Sequence, residues 1–371
     1  MKVLHIANDF SGSAVHSQLC RKLDDKGVEQ IIYIPIRRKS DDGRNFFEGK
    51  STDIIYSNVT KPYHKYLYHL KRFSIFRDMK NKIKFDDINI CHAATLFSDG
   101  GLAYDLYKKY NIPYVVAVRN TDVNGFMKLL PHTWIDGIKI LLHAKKIVFI
   151  SVSLKEKFCK HIMIRPILDR IRDKIISIPN GIDDFYLDNI YDGVRDQNKI
   201  IYIGDFTNNK NVVRLCNAVL KLRKEDGFKD TVLTIVGGGK NSNNKVEQII
   251  TANPDAFNFV GKVYDKDKLC NLLRSNSLFA MPSIHETFGL VYIEALSQNL
   301  PVIYTKGQGI DGLFDNKVGI SVNPKSTEEI YSAIKNILCC RDKYFNTNID
   351  FNRFRWDNIA EQYIRLYSDI I

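Results

Sequence analysis

The stretch from Leu278 to Ile303 limits the possible folds more than any other part of the chain. Leu278-Phe279-Ala280-Met281 is a short apolar run that reads as a buried strand, and Pro282-Ser283 ends it. Glu286-Thr287-Phe288-Gly289 then turns into a helix whose apolar positions Val291, Ala295 and Leu296 fall at helical spacing. Leu300-Pro301-Val302-Ile303 opens another strand. A strand–loop–helix–strand unit of this kind belongs to a parallel sheet covered by helices.

Two carboxylates lie in this unit, Glu286 before the helix and Glu294 inside it. Their spacing corresponds to a helical rise of roughly 12 Å. The two groups of an acid/base pair on one glycosidic bond stand closer, roughly 5 to 10 Å apart. The separation suits two groups that grip opposite ends of one extended ligand. Between them, the amides of Thr287, Phe288, Gly289 and Leu290 are donors at the positive end of the helix dipole, where a phosphate is favoured. A sugar at one end, a ribose at the other and a diphosphate in the middle describe a nucleotide sugar.

The segment PSIHETFGLVYIEALSQNLPVI resembles the E-x7-E signature of the retaining glycosyltransferases of family 4. The resemblance implies the GT-B fold: α/β, two Rossmann-like domains with parallel sheets facing a central cleft. It further implies retaining transfer of a sugar from a nucleotide diphosphate sugar to an acceptor hydroxyl, with neither metal nor cofactor. Glu286 would then meet the sugar hydroxyls and Glu294 the ribose, with His285 beside the sugar. Where the family has Gly-Arg and a lysine five residues on, this chain has Gly204, Asp205 and Lys210, so one of two expected diphosphate cations is missing. A carboxylate facing a diphosphate repels it, so Asp205 is expected to turn away. The family motif His-Gly-x-Asp reads Arg119-Asn120-Thr121-Asp122 here. Asp122 matches. Arg119 cannot act as a neutral imidazole, but can pair a phosphate and is a candidate for the missing cation. Gly12, the one glycine kept in the loop after the first strand, Gly237 and Val263 are further donor-side candidates by the same resemblance. Gly307 to Leu313 corresponds to a sugar-side loop.

The remainder of the chain bounds this reading. Its 371 residues suit two cores better than one. A net charge of +12 points to acidic partners without choosing among nucleic acid, membrane and phosphorylated substrate. Seven scattered cysteines without a C-x-x-C pair read as buried thiols in a reducing compartment. The polar start, Met1 to Asp9, is not a signal peptide, and no apolar run is long enough to span a bilayer. A cytoplasmic protein, at most at the inner face of the membrane, is the expectation.

Read in order, Val3 to Ala7, Gln30 to Pro35, Asp87 to Ala93 and Pro113 to Val118 are strands of a first domain, residues 1–184. The absence of G-x-G-x-x-G after the first strand disfavours a dinucleotide site. His92 either lines an acceptor site or is structural. Lys61 to Lys84 mixes bases with aromatics; it either lies on an anionic membrane surface or docks Tyr63, Tyr66, Leu67, Leu70, Phe73 and Phe76 into the core. Residues 185–198 form a polar linker, 199–350 a second domain, and 351–371 an amphipathic segment that crosses back to the first domain, as in GT-B proteins. Asp265-Lys266-Asp267 spells a metal motif of another fold, and reads better as a charged helix start.

The expected partners are a nucleotide sugar donor and a glycan or lipid-linked acceptor in cell-surface polysaccharide or glycolipid synthesis. No RNA-binding or helix-turn-helix pattern speaks for nucleic acid. Two rival readings stay open: a sugar-nucleotide epimerase or hydrolase of the same fold, and a non-catalytic subunit that binds sugar nucleotide. Asp205 and Arg119 favour the second.

Overall fold

The computed structural model describes the chain except Tyr66, Asp192, 194–197, 240–243, Asn316, 341–342 and 345–348, and the side chain of Lys65. Five of the fourteen residues of the expected linker, Asp192 and 194–197, and most of the polar loop after Gly239 therefore lie outside the described residues.

The chain divides into two units. The first comprises Met1–Ile150, Leu154–Gly181 and Trp356–Ile371; the second comprises Ser151–Ser153 and Ile182–Arg355. The division falls at Gly181/Ile182, a few residues before the expected boundary, and the last crossing back begins at Trp356. Asp184–Asp188 is helical, capped by the Asp183 side chain, so the start of the expected linker is an ordered part of the second unit.

In the first unit, seven strands run β1 (Lys2–Ile6), β2 (Glu29–Pro35), β3 (Thr52–Ser57), β4 (Ile90–Ala93), β5 (Tyr114–Val118), β6 (Lys146–Phe149) and β7 (Ile175–Ser177). They pair in the order β3-β2-β1-β4-β5-β6-β7, all parallel. Alternate residues of each strand enter different cores. Leu4, Ile6, Val116, Val118, Ile147 and Phe149 join one cluster, and Val3, Val115, Ala117 and Val148 join the other. Both faces are thus covered, which is why these strands read as unbroken apolar runs and not as an alternation. The second cluster is completed by the terminal helix Trp356–Ser368, whose Trp356, Ile359, Ala360, Tyr363 and Tyr367 recur at helical spacing. Trp356 packs so closely on Gly181 that a Cβ there would stand 2.6 Å from the indole.

Helix Tyr68–Lys82 forms within the basic-aromatic stretch, and of the residues that the docking option would bury, Phe76 packs partly against the core. Tyr68, Ile75 and Met79 are buried, while Tyr63, Leu67, Leu70 and Phe73 are exposed. The docking stripe is one residue out of step with the aromatic one. Tyr68 sets it, because its hydroxyl donates to the Phe97 carbonyl at 3.0 Å.

Among the described residues, the second unit has six parallel strands: β8 (Lys199–Gly204), β9 (Val232–Gly237), β10 (Phe257–Gly261), β11 (Leu278–Ala280), β12 (Val302–Thr305) and β13 (Gly319–Val322). Their order is β10-β9-β8-β11-β12-β13. Each sheet reverses direction of growth once, between β1 and β4 and between β8 and β11, and open sheets bind ligands outside the carboxyl ends of strands at such points.

Candidate active site

The reversal point of the second sheet assembles the central stretch. Strand β8 delivers Gly204 and Asp205, and a short turn, Asn208–Lys210, follows. Strand β11 delivers Met281 to Glu286 beside it. Lys210 Nζ lies 2.8 Å from Glu286 Oε2 and 3.7 Å from Met281 Sδ. The ion pair is mostly shielded from solvent, so it is worth more than a surface pair, yet one side of each group stays open.

The backbone around this pair is pinned by a residue that spacing did not single out. Asn209 Nδ2 donates to the His285 carbonyl at 2.9 Å, its Oδ1 accepts from the His285 amide at 3.0 Å, and its carbonyl accepts from Ile284 at 2.7 Å. Asn211, in the left-handed region at φ 59°, donates to the carbonyls of Pro282 and Pro324. Nothing in the run Asn208-Asn209-Lys210-Asn211 distinguishes these asparagines by sequence. Their value comes from lying opposite a loop more than seventy residues away. His285 itself is exposed, and its backbone is held on both sides by Asn209.

Glycines seat Glu286 from two sides. Gly289, at φ 78°, leads into the helix Leu290–Ser297; a Cβ on it would stand 2.4 Å from the Tyr292 ring and 3.2 Å from Glu286 Cγ. Gly309 donates its amide to the Glu286 carbonyl at 3.1 Å, and its own Cβ would stand 3.1 Å from Glu286 Cγ. The Gly307 to Leu313 loop is therefore laid against Glu286. The helix buries Tyr292, Ile293, Ala295 and Leu296, whereas Val291, expected on the buried face, is only partly covered. Thr287 donates its amide to Glu286 Oε1 at 3.1 Å. Among the described residues, the amides of Phe288, Gly289 and Leu290 have no acceptor, the usual state of a helix start that awaits an anion or water. The Phe288 side chain is buried and contributes its backbone only.

Glu294 lies inside that helix, and burial, with Asp183 nearby as a second cause, raises its carboxyl to about 7. Lys266 opposes the shift. No hydrogen bond to the Glu294 carboxyl occurs among the described residues. A carboxyl this desolvated and unpartnered costs stability, and a hydroxyl-bearing ligand would supply the missing donors.

Asp205 turns from the ion pair to face Lys262, at 3.8 Å, in an exposed contact. Gly237, at φ 131°, lets β9 close on β8; a Cβ there would stand 1.9 Å from the Gly204 carbonyl oxygen. Gly239 is near both members of the Asp205–Lys262 pair. Val263, next to Lys262, is partly buried. Lys262 is thus a cation at this strand edge that the motif did not reveal. Asp265 accepts from the Lys268 amide at 2.9 Å and caps helix Lys266–Arg274, which accounts for the Asp-Lys-Asp run.

The candidates of the first unit have other surroundings. His92 is buried, with its Nδ1 2.6 Å from the Tyr367 hydroxyl and its ring stacked on Tyr363. Burial holds its imidazole well below the usual histidine range. This placement corrects the acceptor-lining option: His92 is part of the packing under the terminal helix. Asp122 is also buried, and its carboxylate accepts from the amides of Leu96, Phe97 and Arg119 at 3.0, 3.2 and 2.8 Å. Burial outweighs those bonds and lifts it to about 6. Its side chain is committed to the backbone, though it lies on the wall of a cavity described below. Arg119 is half exposed and donates through Nε to the Ala94 carbonyl at 3.1 Å. Gly12 closes a short turn, with Asp9 Oδ1 only 2.7 Å from where a Cβ would be.

Comparison with known proteins agrees with this geometry. Residues 189–349 match the family model of glycosyl transferases group 1, and residues 11–184 match that of glycosyltransferase family 4. The chain is 26% identical over 281 residues to an uncharacterised glycosyltransferase of Methanocaldococcus jannaschii, covering 69% of each. It is 24% identical over 273 residues to a putative teichuronic acid biosynthesis glycosyltransferase of Bacillus subtilis, covering 70% of this chain and 64% of that one. Among solved structures, sucrose-phosphate synthase from Thermosynechococcus elongatus superimposes with TM-score 0.75 at 17% identity, over 100% of this chain and 98% of that one. Anabaena HepE in complex with UDP gives TM-score 0.71 at 14% identity, over 100% of both chains. Two parallel-sheet α/β domains, each matched by a glycosyltransferase model, identify the chain as a glycosyltransferase of the GT-B type.

Proposed function

We propose that the protein transfers a sugar from a nucleotide diphosphate sugar to an acceptor hydroxyl with retention of configuration and without a metal. The observation that carries this is the Lys210–Glu286 pair, set beside unclaimed amides of Phe288, Gly289 and Leu290 at the reversal point of the sheet. In this reading Glu286 accepts hydrogen bonds from the donor sugar, and Glu294 accepts them from the ribose. Lys210 and the three amides balance the charge that develops on the leaving diphosphate, where preorganised donors act most strongly. Lys262 stands where the diphosphate or the nucleoside would pass and partly makes up for the arginine replaced by Asp205. His285 reaches toward the sugar. Because a fold neighbour has been solved with UDP and with UDP-glucose, a UDP-sugar is the first donor to try.

A thermal-shift panel of UDP-, GDP- and ADP-sugars tests donor binding. Mass spectrometry of products with and without acceptor then separates transfer from hydrolysis or epimerisation. Stabilisation by one donor, lost in Glu286→Ala, is expected. Donor binding with no nucleotide release under any condition would leave the non-catalytic reading standing.

A role in cell-surface polysaccharide or glycolipid synthesis at the membrane belongs to the same proposal. Its support is the relative named for teichuronic acid synthesis and the exposed Tyr63, Leu67, Leu70 and Phe73 among bases of the 61–84 stretch. No described helix is long and apolar enough to cross a membrane, so contact would be through this surface. Co-sedimentation with anionic vesicles at low salt is the expected result; failure there removes the membrane part alone.

A further inference from the structure

The first unit holds a cavity of about 310 Å³ that the donor reading does not use. It opens at the reversal point of its own sheet. Asn8 and Asp9 follow β1, Arg37 follows β2, Thr95 and Ser98 follow β4, and Thr121 and Asp122 follow β5. Beyond β3, the short turn Pro62–Lys65 contributes His64, and helix Tyr68–Lys82 contributes Tyr68 and Lys71.

Three nitrogen groups on its wall lack the partners such groups ordinarily have. Arg37, at the exposed mouth of the cavity, makes no ion pair or hydrogen bond among the described residues. Lys71 donates to the Ser98 hydroxyl at 3.3 Å and has no carboxylate at ion-pair distance among them. Burial, with Arg37 as a further cause, holds its ammonium below the usual lysine range against the pull of Asp99. His64 is 3% exposed, and its Nδ1 accepts from the Lys61 amide at 3.1 Å. That bond places the ring proton on Nε2, and Nε2 is sealed from solvent with no acceptor among the described residues. A buried N–H without an acceptor costs stability, a loss that a ligand oxygen would reverse.

The carboxylates of this wall are bound to other groups, though Asp99 still attracts Lys71. Asp122 is held by three backbone amides. Asp99, behind the wall, accepts from the Thr95 hydroxyl and the Asn8 amide, and burial lifts it to about 7. Burial raises the Asp9 carboxyl, and Arg119 opposes that rise. Arg37, Lys71 and His64 come from three segments and face one space, an arrangement that suits a tetrahedral anion better than a planar one.

We propose that this cavity is an anion subsite and that the acceptor carries a phosphate which seats between Arg37, Lys71 and His64. The word acceptor rests on the transferase reading above; the phosphate site does not. A phosphomonoester on a soluble sugar and a phosphate at a lipid headgroup present the same chemistry.

The test titrates methyl phosphate into the full-length protein and follows the His64 imidazole resonances by NMR, with methyl glucoside as the neutral control. Saturable shifts with methyl phosphate and none with the glucoside are expected. Arg37→Ala and Lys71→Met should each weaken binding about tenfold, and Lys229→Ala, at an exposed lysine of the other domain, should leave it unchanged. Absence of saturable shifts in the wild type overturns the site, as does binding that survives both wall variants. If these results hold while no sugar nucleotide binds, the subsite stands and the transferase reading falls. Co-sedimentation with phosphatidylcholine vesicles, with and without dicetyl phosphate, separates the sources. Retention that requires dicetyl phosphate and is lost in Arg37→Ala assigns a lipid-borne phosphate. Equal retention by both vesicles, with methyl phosphate still bound, assigns a soluble one.

Discussion

The two domains have the same sheet plan, a central pair of strands from which the sheet grows both ways, yet they treat their acidic residues in opposite fashion. In the first, Asp122 at the end of β5 is buried and takes three amide hydrogen bonds. In the second, among the described residues, Glu286 is held by one lysine and one amide with an open side, and Glu294 is desolvated with no donor. A carboxylate whose lone pairs are filled by backbone is a structural brace. A carboxylate whose burial is uncompensated is held ready for something that arrives later. Topology marks both places as ligand edges; only hydrogen-bond accounting separates the brace from the site.

That contrast can be broken most forcefully at Lys210. Lys210→Ala should lower the transfer rate by about 10²–10³-fold at saturating donor, the range seen when one charge-stabilising donor is removed. It should lower the melting temperature by a few degrees at most, since each group keeps an open side. A large loss of stability with normal kcat would make Lys210 a brace too. At Asp122 the prediction reverses. Asp122→Ala strands three buried amides and should destabilise the protein by about 2–4 kcal/mol, measured by urea unfolding. An unchanged midpoint would remove the distinction drawn between the domains.

Glu294 sharpens the comparison through pH. Its carboxyl ionises near its ordinary 4.5 in the unfolded chain and near 7 in the folded one. The folded protein therefore binds the proton more tightly, and stability falls as pH rises from about 4.5 to about 7. Glu294→Gln removes that cost, so the free protein should gain about 2 kcal/mol at pH 8 and almost nothing at pH 4. The same variant should bind donor more weakly, and wild-type donor affinity should drop as pH falls below about 7. A variant that gained stability and bound donor normally would remove Glu294 from the site. The smallest effect is expected at Lys262, whose contact with Asp205 is exposed. Lys262→Ala should weaken UDP binding only a few-fold, within about 1 kcal/mol, and the difference should fade as salt is raised. An effect as large as that of Lys210→Ala would make Lys262 a main diphosphate cation.

Much of the fold was legible in the residues because its cause is local. The strands β1, β2, β5, β8, β9 and β12 are short apolar runs, and a strand buried on both faces has to look that way. The spacing Glu286 to Glu294 and the glycine at 289 were legible for the same reason: a helix start dictates its own neighbours. In the basic-aromatic stretch, local pattern misled. The exposed Tyr63, Leu67, Leu70 and Phe73 repeat as well as the buried Tyr68, Ile75 and Met79 do, and helical periodicity cannot say which stripe meets a core.

By itself, the sequence determined that there are two parallel-sheet domains and that a pair of acids flanks one helix start, since turn chemistry and apolar periodicity act over a few residues. Only the tertiary structure decided the rest. It set Asn209 against His285, Lys262 against Asp205, and His92 under Tyr363 and Tyr367. It also brought Arg37, His64 and Lys71 to one wall. Those partners are far apart along the chain, and whether a polar group is satisfied or left waiting depends on what the fold brings to it.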